Sequence, residues 1–209
     1  VFSADELAAA LSAQCYLVVH QPEQIALLQD YRGDLDTRVW LKIDSGMHRL
    51  GFSPQAAIDA YQQLNALAVV KEIILTSHFA CADDLQSAKT RQQIAVFEQL
   101  SQVLPITLAK SIANSAGILA WPETHYQWVR PGIMLYGSSP FADKTASELK
   151  LQPVMTLSSR LIAIQQVKTG ETVGYGSTWQ ATQDTRLGVV AMGYGDGYPR
   201  HIGRDTCVL

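Results

Sequence analysis

No stretch of the 209 residues approaches the roughly 18 consecutive apolar residues of a membrane-spanning helix, so the chain reads as a soluble protein. Cysteine is scarce. Cys15, Cys81 and Cys207 make no CxxC pair and no even-numbered framework, which excludes a disulfide scaffold and suits a reducing, cytoplasmic compartment. Positive charge is not in surplus either: 16 Lys and Arg stand against 19 Asp and Glu, which leaves no basic footprint for nucleic acid. Neither GxGxxG nor GxxxxGK[ST] occurs, so the glycine-rich loops that cradle nucleotides are missing. What is plentiful is apolar residues, 47% of the chain, enough for one sizeable core or two modest ones.

The pattern is organised around Val39 to Phe52, VWLKIDSGMHRLGF. Val39, Trp40, Leu41 and Ile43 read as a buried strand, and Asp44-Ser45-Gly46 as the turn that ends it. On either side, strand and helix patterns alternate. Ser3 and Glu6 fit a capping box for a first helix. Strands follow over 15–20, 39–44, 72–78, 105–112 and 128–136. Between them lie helices opened by Pro22 and by Ser53-Pro54, a helix over 85–103 and a short one over 115–121. About five βα units of this kind predict an α/β fold with a parallel sheet, here a partial (β/α)8 TIM-type barrel over 1–138. Residues 139–150 are polar and read as a linker. From 151 to 209 strand patterns run without helices, the start of a mainly β C-terminal domain, with turns at 168–171 and 183–184 and an apparent strand at 205–209. Five units do not close an eight-stranded barrel and Val1 is not a Met, so the chain is expected to be a piece of a longer protein whose first strand near 15–20 presents an open edge.

Polar groups stand at or just past the end of each barrel strand: Lys42 and Arg49, then His78, then Asn114 and Ser115, then Arg130 and Gly132. In βα folds that end carries the chemistry. Each residue also has a plainer reading. His78 alone suits a hydrogen-bonded core histidine, and the Val39–Phe52 charges suit a solvated loop. Arg130 is more telling, because a guanidinium inside WVRPGIMLYG needs acceptors. The backbone amides of Gly132 and Ile133 with the Ser115 hydroxyl form a donor set suited to a small phosphorylated cofactor. Tyr175 and Tyr194, flanked by glycines, read from the residues alone as ordinary β-domain aromatics.

Together KIDSGMHRLG, TSHFACADD, ANSAGIL, WVRPGIMLYG, VGYGSTW and GYGDGYPR resemble, in order and over essentially the whole chain, the bacterial alanine racemases, barrel-type enzymes that use pyridoxal 5'-phosphate. The resemblance implies racemisation of L-alanine to D-alanine for peptidoglycan, in a cytoplasmic homodimer, with no metal. It implies roles for named residues. Arg130 meets the cofactor's ring nitrogen, with His78 behind it. Ser115, Gly132 and Ile133 bind the phosphate. Arg49 touches the phenolic oxygen and the substrate carboxylate, and Lys42 is the lysine that many relatives carbamylate to support that arginine. Tyr175 is the catalytic base that takes the α-proton of L-alanine, acting on the other subunit's cofactor. Tyr194 binds substrate, and Asp83 and Arg200 line its access. The sequence departs from the family in lacking the AVVKANAYGHG-like segment with the cofactor-anchoring lysine, so the 209 residues alone are expected to be inactive. Two rival readings stay open at this point: a non-catalytic phosphate-binding module, and a serine or broad-specificity racemase.

Overall fold

A computed structural model describes residues 1–201; the expected strand at 205–209 and Cys207 lie outside the described residues. The chain divides into two compact units, Val1–Val154 and Met155–Leu209.

In the first unit, strands β1 (Leu17–Val19), β2 (Thr37–Lys42), β3 (Val70–Thr76) and β4 (Ala109–Ser111) form one parallel sheet in the order β1-β2-β3-β4. Helices α1 (Ala4–Ser12), α2 (Pro22–Asp30), α3 (Pro54–Asn65), α4 (Lys89–Val103) and α5 (Ser115–Ala120) alternate with the strands. The starts follow local chemistry. Ser3 Oγ accepts the Glu6 N–H and Ser53 Oγ accepts the Ala56 N–H, each satisfying a first-turn donor that has no helical partner. The Glu6 carboxylate reaches back to the Phe2 N–H, one residue beyond the capping-box position at Ser3. Helix α4 begins at Lys89 rather than residue 85, because the Asp84 carboxylate draws the N–H groups of Gln86 and Ser87 into a turn of their own.

Alternation along each strand sorts the two faces of the sheet. Val39, Leu41, Ile73 and Leu75 are buried with Leu64, Phe97 and Leu100 of the helices. The opposite face carries Val18, Trp40, Ile74 and Ala109 in register, and above them Lys42, Thr76 and Ser111 in register. The polar row therefore lies at the carboxyl ends of the strands, over an apolar row in which Trp40 meets Trp128 edge to face at 5.7 Å.

The fifth strand expected over 128–136 is not formed. One parallel bridge joins Trp128 to Ser111, and the Arg130 N–H still donates to the Ala113 carbonyl. Pro131 then supplies no N–H for a ladder, and Ile133–Tyr136 curls into a single 3-10 turn ended by Gly137 at φ 78°. Residues 139–150 fall within the first unit, with Phe141 and Leu149 packed against its core. Four parallel strands with flanking helices constitute a partial (β/α) barrel.

The second unit is built from two antiparallel pairs, β5 (Leu161–Val167) with β8 (Thr185–Val190) and β6 (Thr172–Val173) with β7 (Trp179–Gln180). These strands are shorter than the sequence patterns suggest. The turns at 168–171 and 183–184 are tied to each other: the Asp184 carboxylate accepts from Lys168 Nζ and from the Thr169 N–H and hydroxyl. Gly170, at φ 88°, donates to the Ala181 carbonyl.

Leu41 is fully buried between sheet and helices. Leu41→Ala is expected to lower stability by about 2–5 kcal/mol in urea unfolding, whereas Ile106→Ser, at a position 98% exposed, stays within about 0.5 kcal/mol of the parent.

Candidate active site

The β2–α3 loop shows why DSGMHRLGF folds as it does. The Asp44 carboxylate accepts the N–H groups of Gly46 and His48 and lies 3.0 Å from His48 Nδ1. Burial pushes the Asp44 carboxyl up, but those hydrogen bonds outweigh it and hold the group below its usual range. Phe52 closes the loop by donating to the Lys42 carbonyl and accepting from the Asp44 N–H. Gly51, at φ 129°, passes so close to the strand that a Cβ would lie 2.6 Å from the Asp44 nitrogen. Asp44 and Gly51 thus shape the loop that sets Lys42 at its root and Arg49 on its exposed rim.

Arg130 is the centre of the site. Its Nη1 donates to Thr76 Oγ1 at 2.9 Å and to Ser111 Oγ, and its Nη2 donates to the Ser77 carbonyl. Nη2 also lies 3.4 Å from His78 Nδ1. Among the described residues no carboxylate pairs with Arg130, Lys42 or Arg49, and the Arg130 Nε–H takes no partner. Burial brings the Arg130 guanidinium down to about 10, which leaves it charged at neutral pH. A guanidinium can only donate, so His78 Nδ1 must accept, and the imidazole is neutral with its proton on Nε2. Burial first, then the positive charges of Arg130, Lys42 and Arg49, bring His78 down to about 4. Burial and the same two arginines lower Lys42, against a small opposing pull from Asp44.

Beside Arg130 opens a cleft of about 440 Å³ lined by His78, Asp83, Asn114, Ser115, Ala116, Gly132, Ile133, Ser139 and Pro140. Asn114 caps α5 by accepting the Gly117 N–H. Ser115 Oγ accepts the N–H groups of Gly132 and Met134, which leaves its own proton free to donate. The Ile133 N–H takes no partner among the described residues. A Cβ on Gly132 would enter this space 3.9 Å from Ser115 Oγ. The donor set left free on this wall therefore comprises the Ser115 hydroxyl, the Ile133 amide and Arg130 Nε.

The first unit thus brings together His78, Asp83, Ser115, Arg130, Gly132 and Ile133 in one cleft, with Lys42 and Arg49 close enough to act on His78. Tyr175, Tyr194 and Arg200 lie in the second unit. Tyr175 stands on a 3-10 turn after Gly174 and is 96% exposed; Tyr194 is exposed with the Arg200 guanidinium over its ring. Thr76, Ser77 and Ser111, which hold Arg130, were not singled out from sequence. Their signal was a polar residue where the apolar run of each strand ends.

Residues 1–140 match the family model for the alanine racemase N-terminal domain and residues 154–209 that for the C-terminal domain. The chain belongs to the alanine racemase family. It is 47% identical over 211 residues to the alanine racemase of Photobacterium profundum, covering 100% of this chain and 58% of that protein. It is 48% identical to that of Vibrio parahaemolyticus, covering 99% of this chain and again 58% of the relative. The crystal structure of the biosynthetic alanine racemase from Pseudomonas aeruginosa superposes with a TM-score of 0.86 at 46% identity, over 95% of this chain and 55% of that one. The chain spans a little over half the length of the alanine racemases it matches. No helix among the described residues is long and apolar enough to cross a membrane.

Two measurements check the site. Gly51→Ala is expected to cost about 1–3 kcal/mol from its φ alone, before the contact with Asp44 is counted, and to release the 44–52 loop to proteolysis. The folded state resists protonation of His78 until pH about 4, whereas the unfolded chain takes up that proton near 6.5. Between those values the unfolded state holds more protons, so acid favours unfolding. Stability measured by urea titration should fall as pH drops through this window, and His78→Gln should flatten that part of the profile.

Proposed function

We propose that the protein of which this chain forms part interconverts L- and D-alanine with pyridoxal 5'-phosphate, as a cytoplasmic homodimer whose D-alanine serves peptidoglycan synthesis. The observation that carries the reading is the Arg130 wall: a partly buried guanidinium whose Nε–H is unclaimed among the described residues, beside a hydroxyl and an amide that still have protons to give. Family membership supplies the context, because the relatives bear the name alanine racemase.

Pyridoxal phosphate, when bound, supplies an electron-withdrawing ring that makes the α-proton of an amino acid removable. The Ser115 hydroxyl and the Ile133 N–H would hold its phosphate, with Gly132, whose own N–H goes to Ser115 Oγ, leaving it room by carrying no Cβ, and Arg130 would meet its ring nitrogen. A permanently charged guanidinium does not surrender a proton, so that nitrogen would stay unprotonated and the ring a restrained electron sink. Neutral His78 keeps the guanidinium in place without adding charge. Arg49 would face the phenolic oxygen and the substrate carboxylate. Lys42, whose burial favours the neutral amine, would carry the carbamate that balances Arg49. Tyr175 would take the α-proton of L-alanine on the partner's cofactor, Tyr194 would contact substrate, and Asp83 and Arg200 would line the approach.

The test is racemisation of alanine by the full-length protein loaded with pyridoxal phosphate, followed by the optical rotation of L-alanine. Turnover is expected, with Arg130→Ala lowering kcat by about 10²–10³-fold, as removal of a preorganised charged donor does. Faster turnover of serine, or none of any amino acid, would overturn the assignment.

A further inference from the structure

Helix α4 carries two fully buried polar side chains three residues apart, Thr90 and Gln93, on the face it turns to the sheet. Gln93 spends its whole carboxamide on the site's two loops. Its Oε1 accepts the Ala80 N–H at 2.9 Å, and its Nε2 donates to the His78 carbonyl at 2.9 Å and to Ser45 Oγ at 3.3 Å. Ser45 Oγ lies 2.7 Å from Ser77 Oγ, which in turn donates to the Ile43 carbonyl at 2.8 Å. Each hydroxyl has one proton, and that of Ser77 is committed to Ile43. The Ser45 proton therefore goes to Ser77, and every direction in the chain Gln93, Ser45, Ser77, Ile43 is fixed. This buried, one-way chain joins α4 to the loop after β2 and the loop after β3.

We propose that Gln93 is a positioning residue for Arg130: by clamping the backbone of 78–80 and tethering Ser77 through Ser45, it holds the Ser77 carbonyl and the His78 ring against the guanidinium. The proposal rests on Arg130 and His78 belonging to the cofactor site, but the geometry it explains is present in the chain itself. An apolar residue at 93 would strand the Ala80 N–H and the His78 carbonyl without partners, and the loop could recover them only by moving toward water. The groups whose charge His78 feels, Arg130, Lys42 and Arg49, are all cationic, so a ring freed from the cluster titrates higher. Thr90 offers an internal control. It donates to the Cys81 carbonyl, one residue past the clamp, and makes no bond to Ser77, His78 or Ala80.

The experiment is ¹⁵N NMR of the His78 imidazole in the full-length protein from pH 4 to 8. In the parent protein Nδ1 stays unprotonated down to about pH 4. In Gln93→Leu the midpoint rises by at least about one pH unit toward the ordinary histidine value. Thr90→Val, equally buried, leaves it unmoved. Should Gln93→Leu fail to fold, the unbranched Gln93→Met carries the same expectation. A parent-like His78 in the apolar variants, or an equal shift in Thr90→Val, would overturn the proposal. The readout needs no turnover, so a protein that behaves this way yet racemises nothing leaves Gln93 placed and removes only the functional assignment.

Discussion

A guanidinium largely withdrawn from water, with no carboxylate paired to it among the described residues, is the constraint to which the rest of the site answers. Arg130 needs acceptors for the Nη protons it turns into the protein, and the strand ends and the loop after β3 provide neutral ones: two hydroxyls, a main-chain carbonyl and an imidazole nitrogen. An acidic partner would satisfy the same donors more strongly. It would also cancel the charge that makes the arginine useful to a ligand. Neutral acceptors hold the group while leaving its field intact, and that choice propagates outward. Thr76 and Ser111 must interrupt otherwise apolar strands, and His78 must stay unprotonated so that Nδ1 has a lone pair to offer.

Those polar interruptions in turn dictate what packs behind them. The Ser77 carbonyl can meet Arg130 only if the backbone after β3 leaves the sheet at a fixed angle, and that backbone is gripped from the helix side. Thr90 and Gln93 occupy positions on α4 that a plain amphipathic helix would give to leucine or alanine. Their presence is understandable once the loop's orphan carbonyls and N–H groups are counted, since each needs a partner inside the protein. The core is therefore not simply apolar: a thread of oriented hydrogen bonds runs through it from α4 to the strand ends.

Much of this was legible in the sequence and some was not, for physical reasons. Short-range chemistry read well: Ser3 and Ser53-Pro54 cap the helices that follow them, because a cap and its partner lie within three residues. The strand ends read to within two residues: strands over 39–44 and 72–78 are expected, and β2 and β3 end at Lys42 and Thr76. What failed depended on distant partners. The run 128–136 has strand composition, yet Pro131 lacks the ladder donor, and Ser115, 17 residues away from Gly132, captures that glycine's N–H instead. Nothing in the helix pattern over 85–103 singles out Gln93; only the arrival of Ser45 and His78 from two other segments makes it a core residue. Phe141 and Leu149 were hidden in a stretch whose polar composition outweighed its two anchors.

The electrostatics close the account. After burial, the arginines at 130 and 49 lower the proton affinity of Lys42, and together with Lys42 they lower that of His78, which yields first because its ordinary value is the lowest. Like charges gathered at the end of a sheet destabilise the fold that gathers them. Such a cluster persists where rigid loops and neutral hydrogen bonds hold it. The proposed ligand, with a phosphate at one end and a carboxylate at the other, would match that cluster, with donors for the first at Ser115 and Ile133 and a cationic group for the second at Arg49. The strain and the specificity have one origin: the site is built with the charge its ligand will complete.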